Sequence, residues 1–184
     1  MREAVRTVVA ITGASGIAYG IKFLENLPGE RVLVVSEMAK KILPRETGIA
    51  LEELYAMADE VYSDDDLFAP ISSGSHRFDA MIVIPCSASS LGKIACGLAD
   101  TLITRAAAVA LKESRKLVLV VRETPKSAVL LENELRLARA GAVILDANPG
   151  FYHKPKTVDD VVSFVAGRAL DQLGVEHALY EKWS

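Results

Sequence analysis

The sequence contains few of the residues from which disulfides and metal sites are built. Its 184 residues include two cysteines, Cys86 and Cys96, and three histidines, and neither type shows a metal-ligand spacing. Two cysteines cannot form a disulfide framework, and the histidines do not favour a zinc site. We therefore expect no metal, and we expect both thiols to be buried, structural groups in a reducing compartment, the cytoplasm.

Neither an excess of positive charge nor a long apolar run is present. Lysine and arginine number 21, aspartate and glutamate 24, and the formal net charge is −3. Without a basic excess, the chain has no charge to spare for neutralising nucleic-acid phosphates. No apolar run approaches the roughly 18 residues that a membrane span requires. We therefore expect neither a nucleic acid nor a membrane as a partner.

What the sequence does contain is the composition of a globular protein and an alternation of strands with helices. Because 51% of the residues are hydrophobic, 24% are charged and no linker divides the chain, we expect one domain over residues 1–184. Continuous aliphatic runs predict buried strands at 7–11, 31–36, 79–85, 117–122 and 141–145. Helices are predicted at 17–26, 38–47, 51–58, 91–96, 100–114, 127–140 and 158–173. The alternation predicts an α/β fold, with a parallel sheet and helices on both faces.

Small polar segments follow three of the predicted strands. Thr12–Gly16 places two glycines and a hydroxyl group at a helix start, where N–H groups and the helix dipole favour a phosphate or another anion. A tight turn with a serine cap would have a similar composition. Glu37, after the second strand, would hold a ribose in a dinucleotide-binding fold or would simply stabilise its own helix. Cys86–Ser90 offers three hydroxyl groups, as a cradle for a phosphate or a ring edge would, although plain helix capping would use the same residues.

Basic residues gather in the second half of the chain. Arg105 and Lys112 are seven residues apart on one predicted helix and share a face. Arg122 and Glu123 follow a buried strand and so lie at its carboxyl end, where parallel sheets bind their ligands. A solvated surface position is the usual alternative for any one basic residue. An Arg–Glu pair that ends a buried strand nevertheless favours a ligand site.

Taken together, these segments resemble the UbiX-type flavin prenyltransferases from about Val8 to Leu173. The similarity is carried by eight short motifs, Gly13–Gly16, Ser73–Ser75, Pro85–Ser87, Arg105–Ala107, Leu111–Glu113, Arg122–Pro125, Gly141–Ile144 and Phe151–Pro155. The resemblance implies a three-layer, Rossmann-like (flavodoxin-like) fold with a mostly parallel sheet. It also implies an enzyme that transfers a dimethylallyl group from dimethylallyl monophosphate to N5 and C6 of reduced FMN, independently of metal. The product, prenylated FMN, would serve a UbiD-type decarboxylase, and the enzyme would be a homo-oligomer, a dodecamer of trimers.

The resemblance also implies roles for individual residues. FMN would be contacted by Gly13, Ala14, Ser15, Ser36, Ser87, Ala88, Ser89, Ser90, Arg105 and Arg122. The phosphate of the prenyl donor would be held by Lys112, Arg122, Tyr152 and Arg168. The catalytic residues would be Glu123, for proton transfer, and Ser15, Glu46 and Lys112. We expect the alanine-rich helix at 106–111 to supply apolar surface for the oligomer.

Two positions depart from the pattern of the family. Ala108 stands where an aspartate is usual, which leaves Arg105 and Lys112 less neutralised on their shared face. Lys126-Ser127 stands where Leu-His is common.

Three other functions compete with prenyl transfer. A flavoprotein of the cysteine-decarboxylase type would share the fold, but Pro85–Ser90 replaces its Pro-Ala-Ser-Ala-Asn-Thr motif. A flavin-binding subunit without catalysis is the second alternative, and the intact Glu123 argues against it. A nicotinamide dehydrogenase is disfavoured because Pro155 interrupts the helical spacing that Tyr152 and Lys156 would need.

Overall fold

The computed structural model describes residues 5–183, which form one six-stranded sheet between two layers of helices. The strands are β1 (Arg6–Ile11), β2 (Glu30–Val35), β3 (Glu60–Ser63), β4 (Ala80–Cys86), β5 (Lys116–Val121) and β6 (Val143–Asp146). The helices are α1 (Ile17–Asn26), α2 (Glu37–Glu46), α3 (Leu51–Tyr55), α4 (Ala88–Ala95), α5 (Leu102–Lys112), α6 (Ala128–Arg139) and α7 (Val158–Leu173). A 3-10 turn spans Pro70–Ser72.

The strand order places a ligand crevice at the centre of the sheet. The order is β3-β2-β1-β4-β5-β6, and each neighbouring pair is parallel. Ala10 of β1 is in register with Val34 of β2 on one side and with Val83 of β4 on the other. The chain thus builds outward from β1 in one direction and then from β4 in the other. Parallel sheets bind ligands outside the carboxyl ends of the strands at such a reversal.

Alternating side chains of the strands build a separate apolar core on each face of the sheet. Val9 and Ile11 pack with the side chains of α1, α2, α3 and α7. Val8 and Ala10 pack with those of α4, α5 and α6. A strand that is covered on both faces needs apolar residues at successive positions. This requirement explains the continuous aliphatic runs of β1, β4 and β5.

The structure confirms the five predicted strands and the seven predicted helices, with shifts at their ends. β3 was not predicted, because its four residues lie at the sheet edge and are at most half-buried, and Val61 and Tyr62 are its two apolar side chains. α4 begins at Ala88 rather than near Leu91, because the Ser87 hydroxyl group caps the helix.

Two expectations about burial are wrong. Cys86 is buried in β4 as expected, but Cys96 lies at the end of α4 and is exposed. The alanine-rich segment of α5 packs inside the chain, since Ala106, Ala107 and Ala110 are fully buried. That segment therefore has little surface left for assembly. Large apolar side chains are exposed elsewhere, at Phe68, Leu98, Val129, Leu131 and Leu135 among others.

Candidate functional site

The loops that follow β1 and β4 are joined by a buried hydroxyl group. The Thr12 side chain donates a hydrogen bond to the Pro85 carbonyl oxygen over 2.9 Å and accepts one from the Ser87 N–H over 2.8 Å. The Thr12 N–H also donates to the Pro85 carbonyl oxygen, over 3.2 Å. Thr12 is 1% exposed, so water cannot replace these bonds. Thr12 therefore fixes the two loops that border the reversal of strand order.

The N-terminus of α1 is occupied by a carboxylate of the chain itself. Gly16 caps this helix in the left-handed conformation, with φ at 99°. Glu46, at the end of α2, accepts hydrogen bonds from the N–H groups of Gly16 over 2.8 Å and Ile17 over 3.1 Å. Burial alone would raise the pKa of Glu46, but the Ser15 hydroxyl group, these N–H groups and the positive charge of Arg122 together lower it. The expected free anion site is therefore occupied by Glu46 at this helix end.

The N-terminus of α4, by contrast, retains unpaired donors. The Ser87 hydroxyl group accepts a hydrogen bond from the Ser90 N–H over 3.2 Å. Among residues 5–183, the Ala88 and Ser89 N–H groups donate no hydrogen bond. Unpaired N–H groups at a helix start bind anions, and serine hydroxyl groups add further donors. The Ser87–Ser90 segment therefore fits a phosphate.

The start of α2 forms another wall of the crevice. Ser36 caps α2 through its hydroxyl group. Gly13 lies so close to α2 that a Cβ atom at this position would come within 2.6 Å of the Met38 side chain. The glycine thus allows the loop after β1 to approach α2. Glu37 is exposed and pairs with Lys40 over 2.5 Å, which is the helix-stabilising alternative to ribose binding.

Arg122 and Glu123 follow β5 at the same edge of the sheet. The Arg122 Nε donates a hydrogen bond to the Ser15 carbonyl oxygen over 3.1 Å and so ties this loop to the loop after β1. Glu123 is exposed, and its carboxylate accepts a hydrogen bond from the Thr124 N–H over 3.0 Å. The loop and the end of β6 line a cleft of about 360 Å³. An exposed carboxylate in such a cleft is suited to exchanging a proton with a bound substrate.

Lys126 lies in the wall of this cleft between two carboxylates. Its ammonium group is 2.9 Å from the Glu134 carboxylate of α6, and it also contacts Asp146 at the end of β6. Burial would lower the pKa of Lys126, but the two carboxylates raise it. Lys126, which stands where leucine is common in the family, thus forms an ion triad with Glu134 and Asp146. The triad joins the loop after β5 to α6 and β6.

Two basic side chains of α5 contact the loop that precedes β4. The Arg105 Nε donates a hydrogen bond to the Ser72 carbonyl oxygen over 2.8 Å. Lys112 pairs with Glu113 over 2.7 Å, and the two side chains leave no room for a Cβ atom on Gly74. Lys112 therefore has a carboxylate partner even though the usual aspartate at position 108 is absent.

Tyr152 and Arg168 lie beside the C-terminal segment. Tyr152 packs edge-on against Phe164 and Trp183, with ring centroids 5.7 Å and 5.3 Å apart. Arg168 of α7 pairs with Asp171 over 2.8 Å. Tyr152 and Arg168 are both exposed.

A single chain gathers the expected FMN contacts except Arg105, which is bonded to the loop before β4, and it separates the expected phosphate contacts. The loops at Thr12–Gly16, Ser36, Ser87–Ser90 and Arg122 meet at the carboxyl edge of the sheet. Lys112 ends α5 just before β5 begins, so it lies at the opposite edge. Arg168 lies on α7, which covers the other face of the sheet from α5. Lys112 and Arg168 therefore do not converge within one chain.

Three residues of this region have roles that the sequence did not predict. Thr12 gave no signal beyond its place at a strand end, because its partners lie 73 and 75 residues away. Asp146 pairs with Lys126 across 20 residues, which spacing does not reveal. Asp171 follows Arg168 by three residues on a predicted helix, a spacing at which ion pairs form, so it could have been found.

The described residues limit two other kinds of site. Between Val5 and Trp183, no group of three or more His, Cys, Asp or Glu side chains is arranged to hold a metal ion. In the same range, each helix is too short or too polar to span a bilayer.

Known proteins resemble this chain over nearly its full length. A family model described as Flavoprotein matches residues 1–170. The flavin prenyltransferase UbiX of Thermoplasma acidophilum is 51% identical over 179 residues, covering 97% of this chain and 99% of the relative.

Two solved structures match both fold and sequence. A UbiX crystal structure in complex with FMN and dimethylallyl pyrophosphate is 44% identical, with a TM-score of 0.96 over 99% of this chain and 98% of the other. A dodecameric FMN-dependent UbiX-like decarboxylase from Escherichia coli O157:H7 is 45% identical, with a TM-score of 0.95 over 98% and 100%. The Rossmann-like fold is thus confirmed, and the chain belongs to the flavoprotein family. Within that family it is one of the UbiX-type flavin prenyltransferases, and so it is a prenyltransferase enzyme.

Proposed function

We propose that this enzyme joins a dimethylallyl group to N5 and C6 of reduced FMN, taking it from dimethylallyl monophosphate without a metal. The prenylated FMN would then serve a UbiD-type decarboxylase. The observation that carries the proposal is the set of polar loops at the carboxyl edge of β1, β2, β4 and β5, next to an exposed glutamate. A UbiX protein of nearly the same fold has been crystallised with FMN and dimethylallyl pyrophosphate, which supports FMN and a dimethylallyl phosphate ester as ligands here.

The donors at the start of α4 fit the phosphate group of FMN. The Ala88 and Ser89 N–H groups are unpaired within residues 5–183, and serine hydroxyl groups stand beside them. This set suits one phosphate group, whereas a dinucleotide would need donors for a pyrophosphate. The remaining FMN contacts are assigned by resemblance to Gly13, Ala14, Ser15, Ser36, Arg105 and Arg122.

The prenyl donor requires cations around its leaving phosphate group. When the carbon–oxygen bond of the donor breaks, negative charge grows on the phosphate, and charge-assisted donors stabilise it. Lys112, Arg122, Tyr152 and Arg168 are the residues we assign to this task. Glu123 carries the proton transfers that accompany bond formation on FMN, which supplies the two nucleophilic atoms. Ser15 and Glu46, which hold the start of α1, position the reacting groups.

The separation of Lys112 from Arg168 supports an assembled enzyme. A phosphate group cannot contact both residues in one chain, since they lie on opposite faces of the sheet. We therefore propose a cytoplasmic homo-oligomer, a dodecamer as described for the E. coli protein, in which each chain is one domain and neighbouring chains complete the donor site. Exposed Phe68, Leu131 and Leu135 are apolar side chains of the kind that interfaces bury. Light scattering after gel filtration should give twelve times the chain mass of 19.8 kDa.

Anaerobic turnover tests the reaction directly. The protein is incubated with reduced FMN and dimethylallyl monophosphate, or with the diphosphate, and the flavin is analysed by mass spectrometry. We expect flavin carrying one dimethylallyl unit from the monophosphate. Unmodified flavin with both donors would refute prenyl transfer. Product from the diphosphate alone would show that the prenyl donor is the diphosphate and not the monophosphate.

The variant Arg168→Ala tests the phosphate assignment. Loss of one charged hydrogen bond is worth about 1.5–3 kcal/mol, so the half-saturating donor concentration should rise about tenfold or more. The dissociation constant of FMN should change little. Unchanged donor saturation together with lost FMN binding would mean that Arg168 belongs to the flavin site.

A further inference from the structure

Asp171 is the centre of a hydrogen-bond network at the C-terminal end of α7. Its Oδ2 accepts hydrogen bonds from Arg168 Nη1 over 2.8 Å and from the Tyr180 hydroxyl group over 2.6 Å. Its Oδ1 is 3.2 Å from the His177 Nε2 and 3.7 Å from the Lys182 ammonium group. The Asp171 side chain is 19% exposed, so these partners replace most of its water. One carboxylate thus joins α7 to three residues of the segment that follows it.

The segment after α7 is fitted closely against that helix. Gly167 has no room for a side chain, since a Cβ atom there would lie 2.7 Å from both the His177 and Tyr180 rings. The His177 Nδ1 accepts a hydrogen bond from the Leu179 N–H over 3.2 Å. An imidazole protonated at Nε2 satisfies this contact and the contact with Asp171 together. Residues 177–180 are therefore held by both packing and hydrogen bonds.

The same network reaches Tyr152 through two aromatic contacts. The Tyr180 ring lies 4.7 Å from the Phe164 ring, and Phe164 lies 5.7 Å from Tyr152. Asp171 contacts Tyr180 directly. It is thus linked to Arg168 by one ion pair and to Tyr152 through two packed rings, those of Tyr180 and Phe164.

We infer that Asp171 is a positioning residue for the prenyl donor, because it holds the Arg168 guanidinium group and the aromatic segment behind Tyr152 in one arrangement. The inference rests on the proposed function, in which Arg168 and Tyr152 contact the donor phosphate. A guanidinium group has five N–H donors, and Asp171 engages one nitrogen, so other donors remain for an anion. A long side chain that is already oriented loses less freedom when the phosphate binds.

The variant Asp171→Asn tests this role, since it keeps the shape of the side chain and removes its charge. The half-saturating concentration of dimethylallyl monophosphate should rise about tenfold, as expected for loss of a charge-assisted contact. The dissociation constant of FMN, measured by fluorescence, should stay within about twofold. Asp159→Asn is the matched control on the same helix, because Asp159 pairs with Lys22 and not with Arg168. The control should leave donor saturation unchanged.

A double-variant cycle separates this role from a general structural one. Arg168→Ala is measured first. A raised half-saturating donor concentration in this variant establishes that Arg168 contacts the donor. Adding Asp171→Asn to Arg168→Ala should then raise the half-saturating donor concentration by clearly less than Asp171→Asn does in the wild type, because only the route through Tyr152 remains. Tyr180→Phe, which removes the other bond to the same oxygen, should give a smaller rise than Asp171→Asn.

Four results would overturn the inference. Equal effects of Asp171→Asn with and without Arg168 would show that Asp171 does not act through that residue. Weakened FMN binding in Asp171→Asn would show a general loss of structure. A rise of the half-saturating donor concentration in Tyr180→Phe equal to that in Asp171→Asn would show the same. Unchanged donor saturation in Asp171→Asn, with Arg168→Ala still defective, would refute the role of Asp171 and leave the proposed function standing.

Discussion

Replacement of Lys126 by methionine should destabilise the protein through an unpaired carboxylate. The side chains of Lys126 and Glu134 are 19% and 11% exposed, and they pair over 2.9 Å. Removing one partner of a fully buried pair costs about 3–5 kcal/mol, whereas an exposed pair contributes about 0–1 kcal/mol. Because this pair is mostly but not fully buried, we expect Lys126→Met to lower the free energy of unfolding by about 2–3 kcal/mol.

Urea denaturation at one fixed protein concentration measures this loss, and two further variants identify its cause. Lys40→Met is the matched control, because its partner Glu37 has a side chain that is 74% exposed. That control should cost under about 1 kcal/mol. Glu134→Gln added to Lys126→Met should recover about half of the loss or more, since the buried charge is then gone. A cost of Lys126→Met equal to that of Lys40→Met, or no recovery by Glu134→Gln, would refute the reasoning.

Three further predictions concern the site. Thr12→Val should lower the free energy of unfolding in urea by about 1–3 kcal/mol and weaken FMN binding, because the Ser87 N–H loses its acceptor. Thr12→Ser keeps the hydroxyl group, so it should lower the free energy of unfolding by less than Thr12→Val. Glu46 has a lowered pKa in the folded protein, so the stability it contributes is present above its ordinary value of 4.5 and is lost as the pH falls through the lowered pKa. The stability difference between wild type and Glu46→Gln should therefore be constant near neutral pH and shrink below pH 4.5, and a difference that grows there would contradict the assignment. Glu123→Gln should bind FMN normally but lose most turnover. Glu132→Gln, an exposed change on α6, is the control and should keep full turnover. Equal ring-closure rates in the two variants would exclude Glu123 as the proton-transfer residue.

The layered fold could be predicted because each interior strand is apolar on both faces. β1, β4 and β5 are buried along nearly their whole length, so their sequences are continuous aliphatic runs. β3 carries no such signal, because an edge strand with one neighbour needs few apolar residues. Burial of single residues was harder to predict: Cys96 is exposed because α4 ends there, and helix ends are poorly defined by sequence.

The meeting of the loops that we assign to FMN could be predicted from the strand topology, whereas the contacts among side chains could not. In a parallel sheet the loops after β1, β4 and β5 must meet at one edge, whatever their side chains do. The bond between Glu46 and Gly16 depends on how α2 packs beside α1, 30 residues along the chain. The Lys126 triad depends in the same way on the placement of α6 and β6. Sequence spacing within one element shows neither arrangement.

Because the proposed FMN and donor contacts are divided between chains, the affinities for FMN and for the prenyl donor should depend differently on assembly. Under the proposed assignment, the loops that would contact FMN meet within one chain, so FMN affinity should survive dissociation, whereas Lys112 and Arg168 would need a second copy to meet one phosphate. Leu135→Glu places a charge on an exposed apolar position of α6, with Glu132→Ala as the control on the same helix. Where Leu135→Glu lowers the mass in light scattering, donor half-saturation should rise more than about tenfold and the FMN dissociation constant should stay within about twofold. A single-chain species that saturates with donor as the wild type does would show that the phosphate contacts form without a neighbour, and the site shared between chains would then be wrong.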